Sequence, residues 1–426
     1  MSPVSPAELV SAAFAADYPH AGSPVAAAVS PATCALLGED ADYFGGVAVM
    51  AVGSRECAVA IGPNDDGVLR VRLHHADTSG VLSPDVVAAE TDSEEAADLA
   101  GVHTPGVDAD GRVINAPWPT GGLAERLSGL RWCLTHRQLA SRDTTGLNVS
   151  VVTTIPPASG LGFSTSLDAA FALAVSGSHV DDDTDDVSLR ARLADVCGQS
   201  AGLFSAEPVA TVRYVTALRG LVDALTAFDA ADGSALPVVH PAASSGARWR
   251  LLGVVTTHHP DRVPAEQARR RFLDDACRAF GTSSLRSLPY ATDRVLQWLE
   301  AVHDLQPETQ PAAVDDARRW LVAYQQEVER ARQAVFALRS QRFPDVWRLM
   351  NESEAGCAAL TEQPTAVVAA CLRAGAVAAR SCGGDAVIAV VPADRVADVA
   401  ALRSRADVAD VIDFAPGTPA RLLDVS

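Results

Sequence analysis

The chain has 426 residues, with 53 acidic against 34 basic side chains and a net charge of −19, and every basic residue is Arg. The absence of Lys excludes the Walker phosphate loop, the protein-kinase fold, and Schiff-base and pyridoxal chemistry. The acidic surplus argues against nucleic acid as a partner, because no basic stripe is present to neutralise phosphates.

Strand-like stretches dominate the first third. Val47–Val52, Cys57–Ile61 and Val68–Leu73 are β-rich runs, with Gly53 and the cluster Pro63–Gly67 expected as turns. The acidic segment Ala89–Asp110 reads as a solvated loop. Leu123–Ala140 carries helical spacing, and Leu147–Ile155 is a β-branched strand that ends at Pro156-Pro157. Asp181–Asp186 is expected as an exposed charged loop, and the Ala/Ser/Pro-rich stretch Ala230–Ala247 as a domain connection. Arg248–Thr257 reads as a strand, and Pro264–Phe280 as a helix with Pro in its first turn and Gly281 at its end. Leu321, Tyr324, Val328, Ala331, Val335 and Leu338 mark one face of a long helix, and Ala386–Val391 is a short buried strand. The class expected is α+β in two domains.

The eight Cys are scattered without a C-x-x-C pair, which fits buried free thiols better than disulfides or zinc. Met1–Ala16 lacks a signal-peptide pattern, and no run approaches the roughly 18 apolar residues of a membrane span. A cytoplasmic protein without membrane contact is expected. His74-His75 and His258-His259 are adjacent pairs whose side chains diverge on a strand, so neither suggests a metal site.

The most informative stretch is Pro157-Ala158-Ser159-Gly160-Leu161-Gly162-Phe163-Ser164-Thr165-Ser166, between a strand and the Ala-rich helix Leu167–Val175. Glycines 160 and 162 allow close backbone approach. Ser164, Thr165 and Ser166 place hydroxyls and free N–H groups at a helix N-terminus, which attracts phosphate without any Lys. An ordinary Gly/Ser loop with a Ser cap fits the same residues.

This loop resembles the P-x-x-x-G-L-x-S-S-[AS] segment of the GHMP kinases. Ser30-Pro31-Ala32-Thr33 through Gly38-Glu39-Asp40-Ala41-Asp42-Tyr43-Phe44-Gly45-Gly46 resembles the galactokinase sugar signature A-P-G-R-x-N-x-I-G-E-H-x-D-Y-x-G-G. Leu349-Met350-Asn351-Glu352-Ser353 matches L-M-N-x-S, and Ser381-Cys382-Gly383-Gly384-Asp385 resembles the third, Gly-rich motif. The resemblance implies a ribosomal-protein-S5-like N-terminal domain over 1–235 and a ferredoxin-like domain over 236–426. It further implies an ATP-dependent sugar kinase of galactokinase type that uses Mg2+. Glu39, Asp40, Asp42 and Gly45 would face the sugar. Residues Pro157, Ser159, Gly160, Leu161, Gly162, Ser164, Thr165 and Ser166, together with Gly383, Gly384 and Asp385, would face the nucleotide, with Ser164 as a weak metal contact.

The sequence departs from the family at five places. Thr33 stands where active galactokinases have Arg, Ala217 where they have the catalytic Asp, and Gly202 where they have the magnesium Glu. Asp40 replaces the sugar-motif His, and Gln267 replaces a substrate-contacting Tyr. Losing the cation, the metal carboxylate and the base together removes most of the charge stabilisation that phosphoryl transfer asks of a protein. Glu207, or Arg213 or Arg219, are the candidates to replace them. The alternative expectation is a catalytically inactive relative that binds sugar, nucleotide or both.

Overall fold

The computed structural model describes residues 5–425 apart from 40, 78, 105, 108–112, 115, 143–145, 178–185, 208, 244–245, 258–261, 306–311, 358–359, 361–364 and 384–385. Asp40, Gly384, Asp385 and the pair His258-His259 therefore lie outside the described residues.

Helix α1 (Pro6–Asp17) opens on a capping box between Ser5 and Glu8. Two long strands follow, β1 (Ala26–Leu37) and β2 (Val47–Asn64), then β3 (Val68–Ala76), β4 (Leu82–Asp92) and α2 (Glu95–Val102). The two-residue strands β5 (Gly106–Val107) and β6 (Val113–Ile114) lead to α3 (Leu123–His136), β7 (Gly146–Thr153) and α4 (Phe163–Gly177). Next come α5 (Val187–Phe204), α6 (Thr211–Arg219) and the hairpin β8 (Ala224–Asp229) with β9 (Ser234–Val239). The second half begins with β10 (Trp249–Thr256), α7 (Val263–Phe280), α8 (Ala291–Leu305), α9 (Val314–Arg339) and α10 (Phe343–Cys357). It closes with α11 (Thr365–Arg373), β11 (Ala378–Cys382), β12 (Ala386–Pro392), α12 (Val396–Ala400), β13 (Val408–Asp413) and β14 (Arg421–Leu423).

The larger sheet runs β14-β1-β2-β7-β3-β4, with β8 on the outer half of β2 and β9 on β8. All its pairings are antiparallel except β3 with β7. Every residue of β1 is buried, because both its faces are covered. Ala27 and Val29 pack with Val10 and Phe14 of α1, and Ala26 and Ala28 belong to the main core with α4. The smaller sheet, β11-β12-β10-β13, is antiparallel. One face packs under α11 through Val367 and Cys371, and the other contributes Leu251, Ile388 and Val390 to the main core. Helices α7, α8 and α9 form a third cluster that grips Ala41 and Phe44, with Phe44 stacked on Tyr324 at 6.0 Å.

The α+β class is as expected, and α7 and the buried face of α9 lie where the spacing puts them. Gly281 closes α7 in the left-handed conformation, at φ 60°. Four expectations need correction. Gly53 is not a turn: β2 runs through it, and the glycine makes room for the ring of Phe414, which a Cβ would meet at 2.5 Å. Within 89–110, β4 extends to Asp92 and α2 follows, fixed by the buried Ala96 and Ala100 and by a Thr91–Glu95 hydrogen bond. The stretch 230–247 contains β9, the second strand of a hairpin that extends the larger sheet. The α3 helix stops at His136, and Leu139 is buried beyond it after Gln138 adopts φ 59°.

Candidate functional site

The glycine loop leaves β7 through Pro156 and bends three times into the left-handed region, at Ala158, Gly160 and Gly162. Ser159 donates from its hydroxyl to the Pro156 carbonyl at 2.7 Å, and the Thr33 amide donates to the Leu161 carbonyl at 3.0 Å. Gly162 is required twice over: its φ is 79°, and a Cβ there would meet the Thr33 hydroxyl at 2.5 Å. Leu161 is fully buried and joins Leu251 and Ile388 of the smaller sheet in the core. Burying a Leu side chain is worth about 1.5–3 kcal/mol, so it pins the loop to the junction between the two sheets. Helix α4 starts at Phe163, and its first-turn amides have no intrahelical acceptor. Thr165 and Ser166 are buried, the Ser166 hydroxyl donating to Pro31, whereas Gly160, Gly162 and Ser164 are half-buried and Pro157 exposed.

The second segment, residues 38–46, is held from α9. Glu327 accepts the Gly38 amide and the Ser353 hydroxyl, each at 2.7 Å, and Arg330 at 2.9 Å. Next to it both carboxylate oxygens of Glu39 are occupied: Arg213 donates to Oε1, and the Gly383 amide donates to Oε2 at 2.6 Å. Asp42 is different. Its Oδ2 accepts the Val212 amide at a long 3.4 Å and its Oδ1 makes no hydrogen bond. Burial raises its pKa, against Arg270 and the nearby amides of Val212, Tyr43 and Thr211. Asp42 lines a cavity of about 740 Å³ with Tyr43, Trp118, Thr211, Arg270, Arg271 and Asp274 among its walls. Arg270 lies 4.4 Å from the Tyr43 ring centre and pairs with Asp274 at 3.1 Å. Gly45 turns the chain behind this wall, and its carbonyl accepts Arg286 at 3.0 Å.

Helix α6 joins the two segments. Arg213 donates to the Thr33 carbonyl at 2.8 Å and to the Thr33 hydroxyl at 3.3 Å. Burial opposes the charge on Arg213, and Glu39 more than offsets it. The neighbouring Tyr214 donates to Asp168 of α4 at 2.5 Å, and Asp168 takes Arg126 of α3 in a fork, at 2.8 and 2.6 Å. Ala217 is fully buried. Cys382 donates to the Gly160 carbonyl at 3.5 Å, and burial pushes its thiol up to about 11, so it stays protonated. Three segments distant in sequence, around Glu39, Gly160 and Gly383, thus meet in one place.

Comparison with known proteins agrees with this convergence. No family model matches the chain. A galactokinase of Mycobacterium bovis is 27% identical over 390 residues, 89% of this chain and 92% of that protein. A galactokinase of Streptomyces coelicolor is 25% identical over 292 residues, 68% of this chain and 66% of that protein. Lactococcus lactis galactokinase complexed with galactose superposes with a TM-score of 0.69 at 16% identity, over 96% of this chain and 98% of that one. Methanococcus jannaschii mevalonate kinase superposes at 0.56, with 12% identity over 93% and 98%. The chain has the GHMP kinase fold, and in sequence it is similar to galactokinases at 25–27% identity.

The two-domain GHMP fold accounts for the placing of the sequence motifs. Glu39 and Gly383 come into direct contact, with the 157–166 loop beside them, while Asp42 lines the cavity and Gly45 turns the chain behind its wall. Gln267 donates to the Ala206 carbonyl at 2.8 Å and is not in the cavity lining. Among the described residues no group of three His, Cys, Asp or Glu is placed to hold a metal. The carboxylates beside the loop, Asp168 and Glu39, are committed to arginines, and Ser164 offers one hydroxyl. Among the described residues, these carboxylates do not make a metal site. Seven of the eight Cys are buried and all are free, as expected. No described helix is long and apolar enough to cross a membrane.

Sequence reasoning missed Arg126, Glu327 and Arg380. A signal was present for two of them: Arg126 sits on the apolar stripe of Leu123, Leu127 and Leu130, and Arg380 stands in the small-residue run Ala378-Ala379-Arg380-Ser381-Cys382.

Proposed function

We propose that this protein is an ATP-dependent sugar kinase of the GHMP type. The sugar occupies the Asp42 cavity, and the triphosphate lies on the first-turn amides of α4, Phe163–Thr165, and on the glycine loop before them, opposite Gly383. The observation that carries the reading is the junction itself: the Gly383 amide on Glu39 and the Cys382 thiol on the Gly160 carbonyl bring the acceptor motif, the glycine loop and the third motif together. The galactokinase relatives support the substrate class. Asp42, which lines the cavity, accepts hydrogen bonds from sugar hydroxyls, and Arg270 and Tyr43 frame them. In the reaction the acceptor hydroxyl oxygen bonds to the γ-phosphorus, the bond from that phosphorus to the ADP oxygen breaks, and the proton leaves on a phosphoryl oxygen. A general base contributes roughly 10²–10⁴-fold, so its loss at Ala217 slows this route without closing it. Magnesium, where present, is carried by the nucleotide, and no protein step depends on it.

Measuring ADP release with purified protein across a panel of aldoses tests this. Turnover with one or more sugars is expected, and none with any sugar contradicts it. A second reading, a non-catalytic binder of sugar and nucleotide, is favoured by the apolar burial of Ala217 and the full occupancy of Glu39. It predicts ligand-induced stabilisation of about 2.7 kcal/mol at a hundredfold excess over Kd, without ADP release.

A further inference from the structure

The guanidinium of Arg213 sits between the two glycine segments. A Cβ on Gly162 would stand 3.4 Å from its Nη1, and one on Gly383 would stand 3.1 Å from its Nη2. The residue is 7% exposed, yet the backbone beside it opens to solvent, half-buried at Gly160 and Gly162 and exposed at Gly383. The carboxylate of Glu39 faces two arginines. Arg380, 2% exposed, lies 4.0 Å from Oε2, and its Nε and Nη1 make no hydrogen bond. The other carboxylates of the cluster are engaged elsewhere, Glu327 by Arg330, Gly38 and Ser353, and Glu354 by the Ser381 amide and hydroxyl. Thr33 makes the arrangement possible, since its short side chain leaves room for a guanidinium arriving from α6.

We propose that Arg213 is a phosphate-binding residue, the cation that meets the terminal phosphate of a nucleotide laid on the glycine loop and the first-turn amides of α4, while Arg380 retains Glu39. The proposal rests on the kinase reading above. A chain without Lys, whose carboxylates at this point are tied to arginines, must compensate phosphate charge with Arg. The planar fork of a guanidinium suits that task.

Calorimetric titration of the full chain with ATP and with adenosine, in EDTA and again with Mg2+, tests it. R213Q is expected to lose about tenfold or more in ATP affinity, the scale of one charge-assisted hydrogen bond, with adenosine affinity unchanged. The paired variant E39Q/R213Q removes both buried charges and so keeps the fold if R213Q alone does not; it is expected to show the same loss. ATP binding by R213Q or E39Q/R213Q as tight as by the unaltered chain overturns the proposal and leaves the kinase reading standing. An unaltered chain that binds neither ATP nor adenosine overturns that reading itself.

Discussion

The two halves of the site are built on opposite principles. At the loop junction the carboxylates have internal partners: Glu39 with Arg213 and Gly383, and Asp168 with Arg126 and Tyr214. At the cavity, Asp42 keeps a buried oxygen unsatisfied beside a large open volume. The first arrangement fixes backbone geometry, as a loop that holds phosphate through its own amides requires. The second leaves hydrogen-bonding capacity for something that arrives. The difference teaches that a carboxylate at a motif position can serve as scaffold or as receptor, and that its partners decide which.

That contrast breaks most easily on the loop side. D168A leaves Arg126 buried and unpaired, and about 3–5 kcal/mol of stability should go, read from urea unfolding. R126M/D168L, which removes both charges, should cost far less; equal losses would mean that the pair does not act as a unit. Away from both regions, G53A drives a Cβ into the Phe414 ring and should cost about 1–3 kcal/mol, partly recovered in G53A/F414L. The smallest stability change is expected at the cavity, where D42N should fold at least as well as the unaltered chain while sugar affinity falls about tenfold, or about 1.4 kcal/mol.

The sign of the pH effect at Asp42 follows from its raised pKa. Below the unfolded pKa the carboxyl is protonated in both states and nothing is lost. As pH rises toward the folded pKa the unfolded chain ionises first, and stability is given up. The advantage of D42N should therefore be larger at pH 7 than at pH 3.5 in paired unfolding curves. An advantage that shrinks with pH would show that Asp42 is ion-paired after all.

Much of this was legible before any coordinates. The periodic faces of α9 and α7 and the breaks at Pro156 and Gly281 rest on local chemistry, which the sequence displays directly. Gly53 was misread because a glycine that yields to a ring from residue 414 looks the same as one that turns the chain. The loop's place in the fold was visible through its glycines and the helix after it. Its partners were not, since Arg213 reaches Glu39 across 174 residues and Glu327 reaches Gly38 across 289. Such pairings belong to topology, and spacing along the chain carries no trace of them. That Ala217 lies fully buried could be read only from its surroundings.

Amide hydrogen exchange across residues 157–166, with and without a non-hydrolysable ATP analogue, tests the central claim most directly. The account predicts slowed exchange of the amides of Gly160 and of Gly162 to Thr165 on adding the analogue, with the edge strand β4 unaffected. Exchange in that segment unchanged at saturating nucleotide would contradict it.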